Sequence, residues 1–230
     1  MLSWFPENIS TYGHQIDHIF WLIYVIVGVW FLIAEGVLIG FLIRYRRRPG
    51  QGAVYEKGDT KAKLAWILVP VSLVFMFDIG IDFAQGPVWD EIKTSVPQNP
   101  DQVIHIQAKQ FAWDFTVPGP DGKLGTEDDI ATPAQLTVPV NKVIVFELEA
   151  TDVIHSFWVP NLRLKQDAVP GRKIKGWFQA TKAGTYPIGC AELCGIGHGT
   201  MKGSLVVLND ADYQKWVGEQ SQTKGDDFWR

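Results

Sequence analysis

The stretch Cys190-Ala191-Glu192-Leu193-Cys194-Gly195-Ile196-Gly197-His198-Gly199-Thr200-Met201 holds both cysteines of the 230-residue chain, an imidazole and a thioether. Thiolate, imidazole and thioether are ligand types that suit copper, whereas magnesium and calcium sites draw carboxylates and carbonyls. Pro187 and the glycines at 189, 195, 197 and 199 argue against a regular helix here. The sequence therefore predicts a tight loop that turns its ligands inward. One cysteine with His and Met fits a mononuclear blue copper site, but a second cysteine four residues on lets two thiolates bridge two ions. A disulfide between the two is the competing reading, favoured in an oxidising compartment.

A bridged pair of ions requires a second histidine. Among five histidines, His155 is the best placed. It lies in Thr151-Asp152-Val153-Ile154-His155-Ser156-Phe157-Trp158-Val159-Pro160, among small, polar and aromatic residues at the end of a β-rich run. His14 and His18 stand near the end of an apolar run and His105 alternates within a strand, so structural readings suit them better.

The pattern Cys-x-Glu-x-Cys-x3-His-x2-Met, preceded by Asp-x2-His-Ser, resembles the CuA site of cytochrome c oxidase subunit II. The resemblance implies that Cys190 and Cys194 bridge two coppers, that His155 and His198 bind one each, and that Met201 is a weak ligand. It implies a backbone-carbonyl ligand at Glu192, whose carboxylate faces a magnesium or manganese site shared with the catalytic subunit. It further implies an electron-transfer role: binuclear CuA accepts electrons from cytochrome c and passes them to haem in a catalytic haem-copper subunit. By the same resemblance, oxygen is reduced there to water with proton translocation, and this chain is expected to be a subunit of a cytochrome-c oxidase without its catalytic centre. Asp152, close in sequence to His155, is a candidate to orient that ring.

Two other readings stand beside this one. A CuA subunit of a haem-copper nitric oxide reductase would carry the same motif. A membrane-anchored thiol copper chaperone would pair Cys-x3-Cys with a distant histidine, but it calls for a thioredoxin-like βαβ pattern and no methionine at this spacing. Neither apolar run of the chain carries a well-placed haem-ligating histidine. No Cys-x2-Cys-His occurs, so the electron donor is a separate protein.

Apolar residues make up 47% of the chain and the mean hydropathy is close to zero, which suggests segregated membrane and soluble parts. The net charge is -4; residues 1–84 balance at 7 basic against 7 acidic, and residues 85–230 carry 14 against 18. A mildly acidic domain with no basic face excludes a nucleic-acid partner and suits a basic protein. Asp114, Glu127, Asp128, Asp129 and Asp152 are the candidate carriers of that attraction.

Residues 1–18 are polar and aromatic, with Trp4, Phe5 and Tyr12 as membrane-interface candidates and no basic leader ending in a small-residue cleavage site. A transmembrane helix is predicted over about 19–43, with Glu35 inside it. Arg44, Arg46, Arg47 and Arg48 follow at once, which places the connecting loop in the cytoplasm and the N terminus outside. A second helix over about 64–83 carries Asp78 and Asp82 toward its far end, and Trp66 and Pro70 match the family's Trp-x3-Pro. The family often has glutamate three residues before that Trp, at a proton channel of its partner; Lys63 stands there, so that role is not carried over.

From Val103 the chain alternates short β-runs with Pro and Gly breaks: Val103–Lys109, Gln110–Val117, Gln135–Val138, Lys142–Ala150, Lys173–Ala180 and Gly203–Asn209. Such spacing means a sandwich or barrel, and the resemblance narrows it to an all-β cupredoxin-like Greek-key barrel after a two-helix transmembrane hairpin. The expected organisation is an N-terminal segment and hairpin over 1–87, the CuA domain over 88–217, ending in a short helix through about Val217, and a frayed tail over 218–230. Pro118–Asp129 resembles a calcium loop in composition alone and reads as a solvated hairpin.

Relatives carry Gln-Trp-x-Trp at one point of the barrel, its first Trp taken as the contact with cytochrome c. Here Gln110-Phe111-Ala112-Trp113-Asp114-Phe115 puts Phe111 at that point, with Trp113 matching the second Trp. The alternation of 111, 113 and 115 also fits one face of a half-buried strand. Phe111 is the expected contact at which electrons enter.

Overall fold

The computed structural model describes residues 5–227; Trp4, one of the interface candidates, lies outside them. The chain divides into two units, Gln15–Trp89 and a second made of the residues up to His14 together with those from Asp90 on.

In the first unit, α1 spans Gly13–Arg44 and α2 spans Lys61–Trp89. Both run past the predicted spans, and α2 continues through Gly86 and Pro87 to Trp89. Thr60 starts α2, its carbonyl accepting from Leu64 N at 2.9 Å. Pro70 is accommodated within it. Phe31, Leu32, Phe75 and Met76 are among many large apolar side chains turned outward, a distribution that suits lipid. Lys63 pairs with Glu56 and lies 4.0 Å from Asp59.

The second unit holds ten strands among the described residues. These are β1 (Gln102–Lys109), β2 (Ala112–Val117), β3 (Ile130–Pro133), β4 (Gln135–Pro139), β5 (Val143–Ala150), β6 (His155–Val159), β7 (Leu164–Ala168), β8 (Ile174–Gln179), β9 (Gly184–Cys190) and β10 (Lys202–Leu208). They form two five-stranded sheets ordered β3-β2-β1-β5-β8 and β4-β10-β9-β6-β7. The β1–β5 and β4–β10 pairs are parallel, and the other pairs antiparallel. Successive strands cross repeatedly between the sheets, which is the expected all-β cupredoxin-like barrel.

Alternation along each strand builds the core between the sheets. Phe157 of β6 stands at its centre, with ring centroids 5.6 Å from Trp113, 6.2 Å from Phe115 and 6.0 Å from Phe146, all three from the opposite sheet. Burying such rings contributes on the order of 2 kcal/mol each from area alone. β2 begins at Ala112, so Phe111 stands in the turn before it and does not share the buried face of Trp113 and Phe115 as the alternation suggested.

Residues ahead of α1 pack on this barrel. Ile9 and Tyr12 are fully buried, Ile9 N donates to Asn161 O at 2.9 Å and Thr181 N donates to Ile9 O at 2.7 Å. Tyr12 is therefore a core residue and not a membrane-interface one. Phe5 lies under the Arg163 guanidinium, 4.6 Å from its ring centre.

At the other end of the chain α3 covers Asp210–Asp227. Asn209 caps it, its Oδ1 accepting from Asp212 N at 2.9 Å. The helix runs beyond the expected Val217; the continuation is built of helix formers such as Glu219 and Gln220, and Lys215 and Glu219 face each other at 3.8 Å across one turn.

Candidate metal centre

β9 and β10 are antiparallel neighbours with Gly189 opposite Lys202, so Cys190 and Met201 close the base of the loop between them. Cys190 N donates to Met201 O at 3.3 Å. β6 lies on the other side of β9, with Phe157 opposite Cys190, and Ala191 N donates to Ser156 O at 3.0 Å. This register carries His155, the first residue of β6, to the mouth of the loop. A 3-10 turn over His198–Thr200 then swings the second imidazole inward.

Five side chains singled out in the sequence meet here. Cys190 Sγ and Cys194 Sγ are 3.9 Å apart, with no disulfide. His155 Nδ1 lies 3.9 Å from Cys190 Sγ, and His198 Nδ1 lies 3.7 Å from Cys194 Sγ. Met201 Sδ lies 3.9 Å from Cys194 Sγ, and the Glu192 carbonyl oxygen lies 3.2 Å from Cys190 Sγ. The donor atoms of His155, Cys190 and Cys194 all fall within 4.8 Å of one another. Ions bonded to nitrogen and sulfur at about 2.0–2.3 Å hold neighbouring donors roughly 3.5–3.8 Å apart at tetrahedral angles. The spacing of this N/S set thus fits a soft metal, and its two sulfurs are close enough to share one.

The protonation states point the same way. His155 Nε2 lies 2.8 Å from Asp152 Oδ1; an Nε2–H donated there leaves the Nδ1 lone pair facing Cys190. Desolvation acts to raise the Asp152 carboxyl, but hydrogen bonds from His155, Gln110 N and Val153 N outweigh it and hold the carboxyl below its usual range. Burial, followed by the nearby Cys190, pushes the Cys194 thiol up to about 11. A thiolate at that position calls for a cation beside it.

Burial sorts the set. His155, Cys194 and Met201 are buried, Cys190 and His198 half-buried, and the Glu192 side chain exposed. Trp113 is fully buried with its ring centre 6.2 Å from that of His155, so it belongs beneath the centre and not on the surface. Phe111 is half-buried above the loop: a Cβ added at Gly197 would meet its ring at 2.5 Å, and one at Gly195 at 3.0 Å. Gly195 itself has φ +134°, a conformation open to glycine alone. Leu193 and Ile196 are fully or largely exposed on the same loop.

The candidate docking acids are scattered. Asp152 is occupied by His155 and Gln110, and Asp114 pairs with Lys109 at 2.5 Å. Glu127, Asp128 and Asp129 lie in the β2–β3 hairpin, beyond Val117, whereas the loop adjoins the β1–β2 turn at the other end of β2. The hairpin carboxylates serve its own turns, as in Asp121 N to Asp128 Oδ2 at 2.9 Å and Gly125 N to Asp129 Oδ2 at 2.7 Å. One residue at the centre was not singled out as part of it: Gln110, whose side chain donates to Cys194 O at 2.6 Å. Its partner lies 84 positions away, a distance over which the sequence carries no local signal.

The chain is similar to known proteins over most of its length. Residues 98–208 match the family described as cytochrome C oxidase subunit II, periplasmic domain. The chain is 32% identical to cytochrome c oxidase subunit 2 of Thermostichus vulcanus over 92% of its length and 76% of the relative's. It is 30% identical to the corresponding protein of Synechocystis sp. over 92% and 74%. Among solved structures, the periplasmic domain of subunit II of cytochrome oxidase (CoxB) from Bradyrhizobium japonicum is similar at 31% identity and a TM-score of 0.50, covering 56% of this chain and 99% of that one.

Proposed function

Because the chain belongs to the cytochrome c oxidase subunit II family, a family of haem-copper oxidase subunits with a CuA domain, we propose that its loop and β6 hold a binuclear copper centre. Cys190 and Cys194 would hold the pair through their thiolates, with one nitrogen each from His155 and His198, a weak thioether from Met201 and the carbonyl of Glu192. When bound, two coppers sharing two thiolates spread one charge over both ions and exchange single electrons with little movement of their ligands. The observation that carries this reading is the convergence of four N/S contacts of 3.7–3.9 Å at one loop.

The protein's own groups do the rest. Asp152 fixes the His155 ring and its tautomer. Trp113 and Phe157 pack beneath and exclude water. Phe111, on the loop's outer side, offers a flat apolar contact to cytochrome c. Electrons then pass to haem in the catalytic subunit, where oxygen is reduced and protons are moved. The exposed Glu192 carboxylate is free to face a magnesium or manganese ion at that subunit's boundary. The helical hairpin anchors the chain in the bilayer with the copper domain on the periplasmic side and the arginine-bearing loop in the cytoplasm.

The test is metal analysis and electron paramagnetic resonance of the purified oxidase complex. A mixed-valence pair of coppers per chain is expected, lost in Cys190→Ser. One copper per chain, or a Cys190 to Cys194 disulfide in the copper-loaded protein, rules the reading out.

A further inference from the structure

Gln110 lies in the turn between β1 and β2, outside both segments that supply donor atoms. Its backbone N–H donates to Asp152 Oδ2 at 2.6 Å, and its side-chain Nε2 donates to the Cys194 carbonyl at 2.6 Å. The other oxygen of Asp152 lies 2.8 Å from His155 Nε2. One residue is thus bonded to both arms of the centre, to the β6 arm through Asp152 and to the loop directly.

The point it grips on the loop is the sensitive one. Cys194 Sγ lies 3.9 Å from Cys190 Sγ, 3.7 Å from His198 Nδ1 and 3.9 Å from Met201 Sδ, so a shift of its backbone alters three donor spacings together. The loop's ends are held by strand register and by Ala191 N to Ser156 O, and its far turn by His198 N to Gly195 O at 3.1 Å. Both latter bonds leave the carbonyl of Cys194 itself to Gln110. The chain is also pressed close there: a Cβ at Gly195 would stand 2.9 Å from Gln110 Nε2 and 3.0 Å from the Phe111 ring. Gln110 and Phe111 together therefore cover the loop from above, the amide by hydrogen bonding and the ring by contact.

Resting on the copper reading above, we infer that Gln110 is a positioning residue that fixes the Cys194 sulfur against the other donors. It thereby governs how firmly copper is retained and at what potential it works.

The test uses the full chain in its assembled oxidase, with Gln110→Met, which keeps the length and loses the donor, and Gln110→Glu, which sets a carboxylate against a carbonyl. Copper loss to an added chelator, the hyperfine splitting of the copper signal and its midpoint potential are read. Removing an outer hydrogen bond of this kind weakens metal retention roughly tenfold or more, so Gln110→Met should lose copper that much faster with an altered splitting and potential, and Gln110→Glu faster still. If either variant does not assemble, Gln110→Asn, which keeps the amide but falls one methylene short, should behave as Gln110→Met. Wild-type retention with unmoved splitting and potential overturns the inference, as does failure of all three to assemble beside a wild-type control. A wild-type complex without a copper pair overturns the underlying reading instead.

Discussion

The Tyr12 ring meets the Trp177 ring edge-on, with centroids 5.3 Å apart and planes at 75°. The Trp177 Nε1–H in turn donates to Glu91 O at 3.2 Å. Tyr12 immediately precedes α1 and Glu91 follows α2, so one indole on β8 binds the chain where it leaves the barrel and where it returns. A soluble fragment begun near residue 88 lacks Ile9 and Tyr12 and uncovers the edge at Ala180.

Tyr12→Ala in the full chain should therefore destabilise the barrel by about 3–5 kcal/mol, as for other large buried rings, while the copper signal stays as in wild type. Thermal release of copper from the complex measures it. An unchanged release temperature would show that the N-terminal segment rests on the barrel without holding it.

Asp152 should tune the centre. Asp152→Ala removes a negative charge 2.8 Å from His155 Nε2 and the anchor of the Gln110 N–H. Loss of the charge disfavours the more positive oxidised state, so the midpoint potential should rise, and copper retention should fall by about 10- to 100-fold. A redox titration with chelator challenge checks both, and a lowered potential contradicts the assignment.

The acidic hairpin should matter little to the electron donor. It lies at the far end of β2, whose 6 residues span about 20 Å at 3.3 Å per residue. That exceeds the Debye length of about 8 Å at physiological ionic strength. Glu127→Gln, which spares the turn carboxylates, should change the rate of reduction by cytochrome c less than about twofold at that ionic strength. A larger loss would place the hairpin on the docking face.

Phe111→Ala should slow reduction at low donor concentration. Because the ring also covers Gly195 and Gly197, a small change in the copper signal should accompany the loss, and Phe111→Leu should restore the signal ahead of the rate. Stopped-flow reduction with matched spectra separates the two. Wild-type rates in Phe111→Ala at both low and saturating donor would move the contact elsewhere on the loop.

Much of this was legible because ligand chemistry is local: Cys190, Cys194, His198 and Met201 fall within one loop, and the family resemblance gives them and His155 their roles. Strands were legible where alternation was strong, as in β1 and β5. Four went unread for separable reasons. β3 has four residues and β7 is polar from Lys165 to Asp167, as edge strands are. β6 begins with the polar pair His155 and Ser156 and has only five residues, too few for a clear alternation. β9 contains Pro187, tolerated because β6 pairs only with Gly189 and Cys190 and leaves β9 bonded on one side there. The scatter of the acids and the grip of Gln110 join residues far apart in sequence, which composition and periodicity do not register.

Trp113 offers the sharpest separation between supporting the centre and touching the donor. Its side chain is fully buried against His155 and Phe157, and its Nε1–H has no hydrogen-bond partner among the described residues. Trp113→Phe breaks no hydrogen bond to a described residue; its cost is the space left by the missing half of the indole, about 1–3 kcal/mol for a partly collapsing core. The void opens beside His155, so the copper signal should shift and the excess stability lost should appear in a urea or thermal melt. Reduction by cytochrome c, measured at low donor, should stay near wild type, because no part of the ring reaches the surface. A slowed bimolecular rate with an unaltered copper signal would reverse the roles given to Phe111 and Trp113.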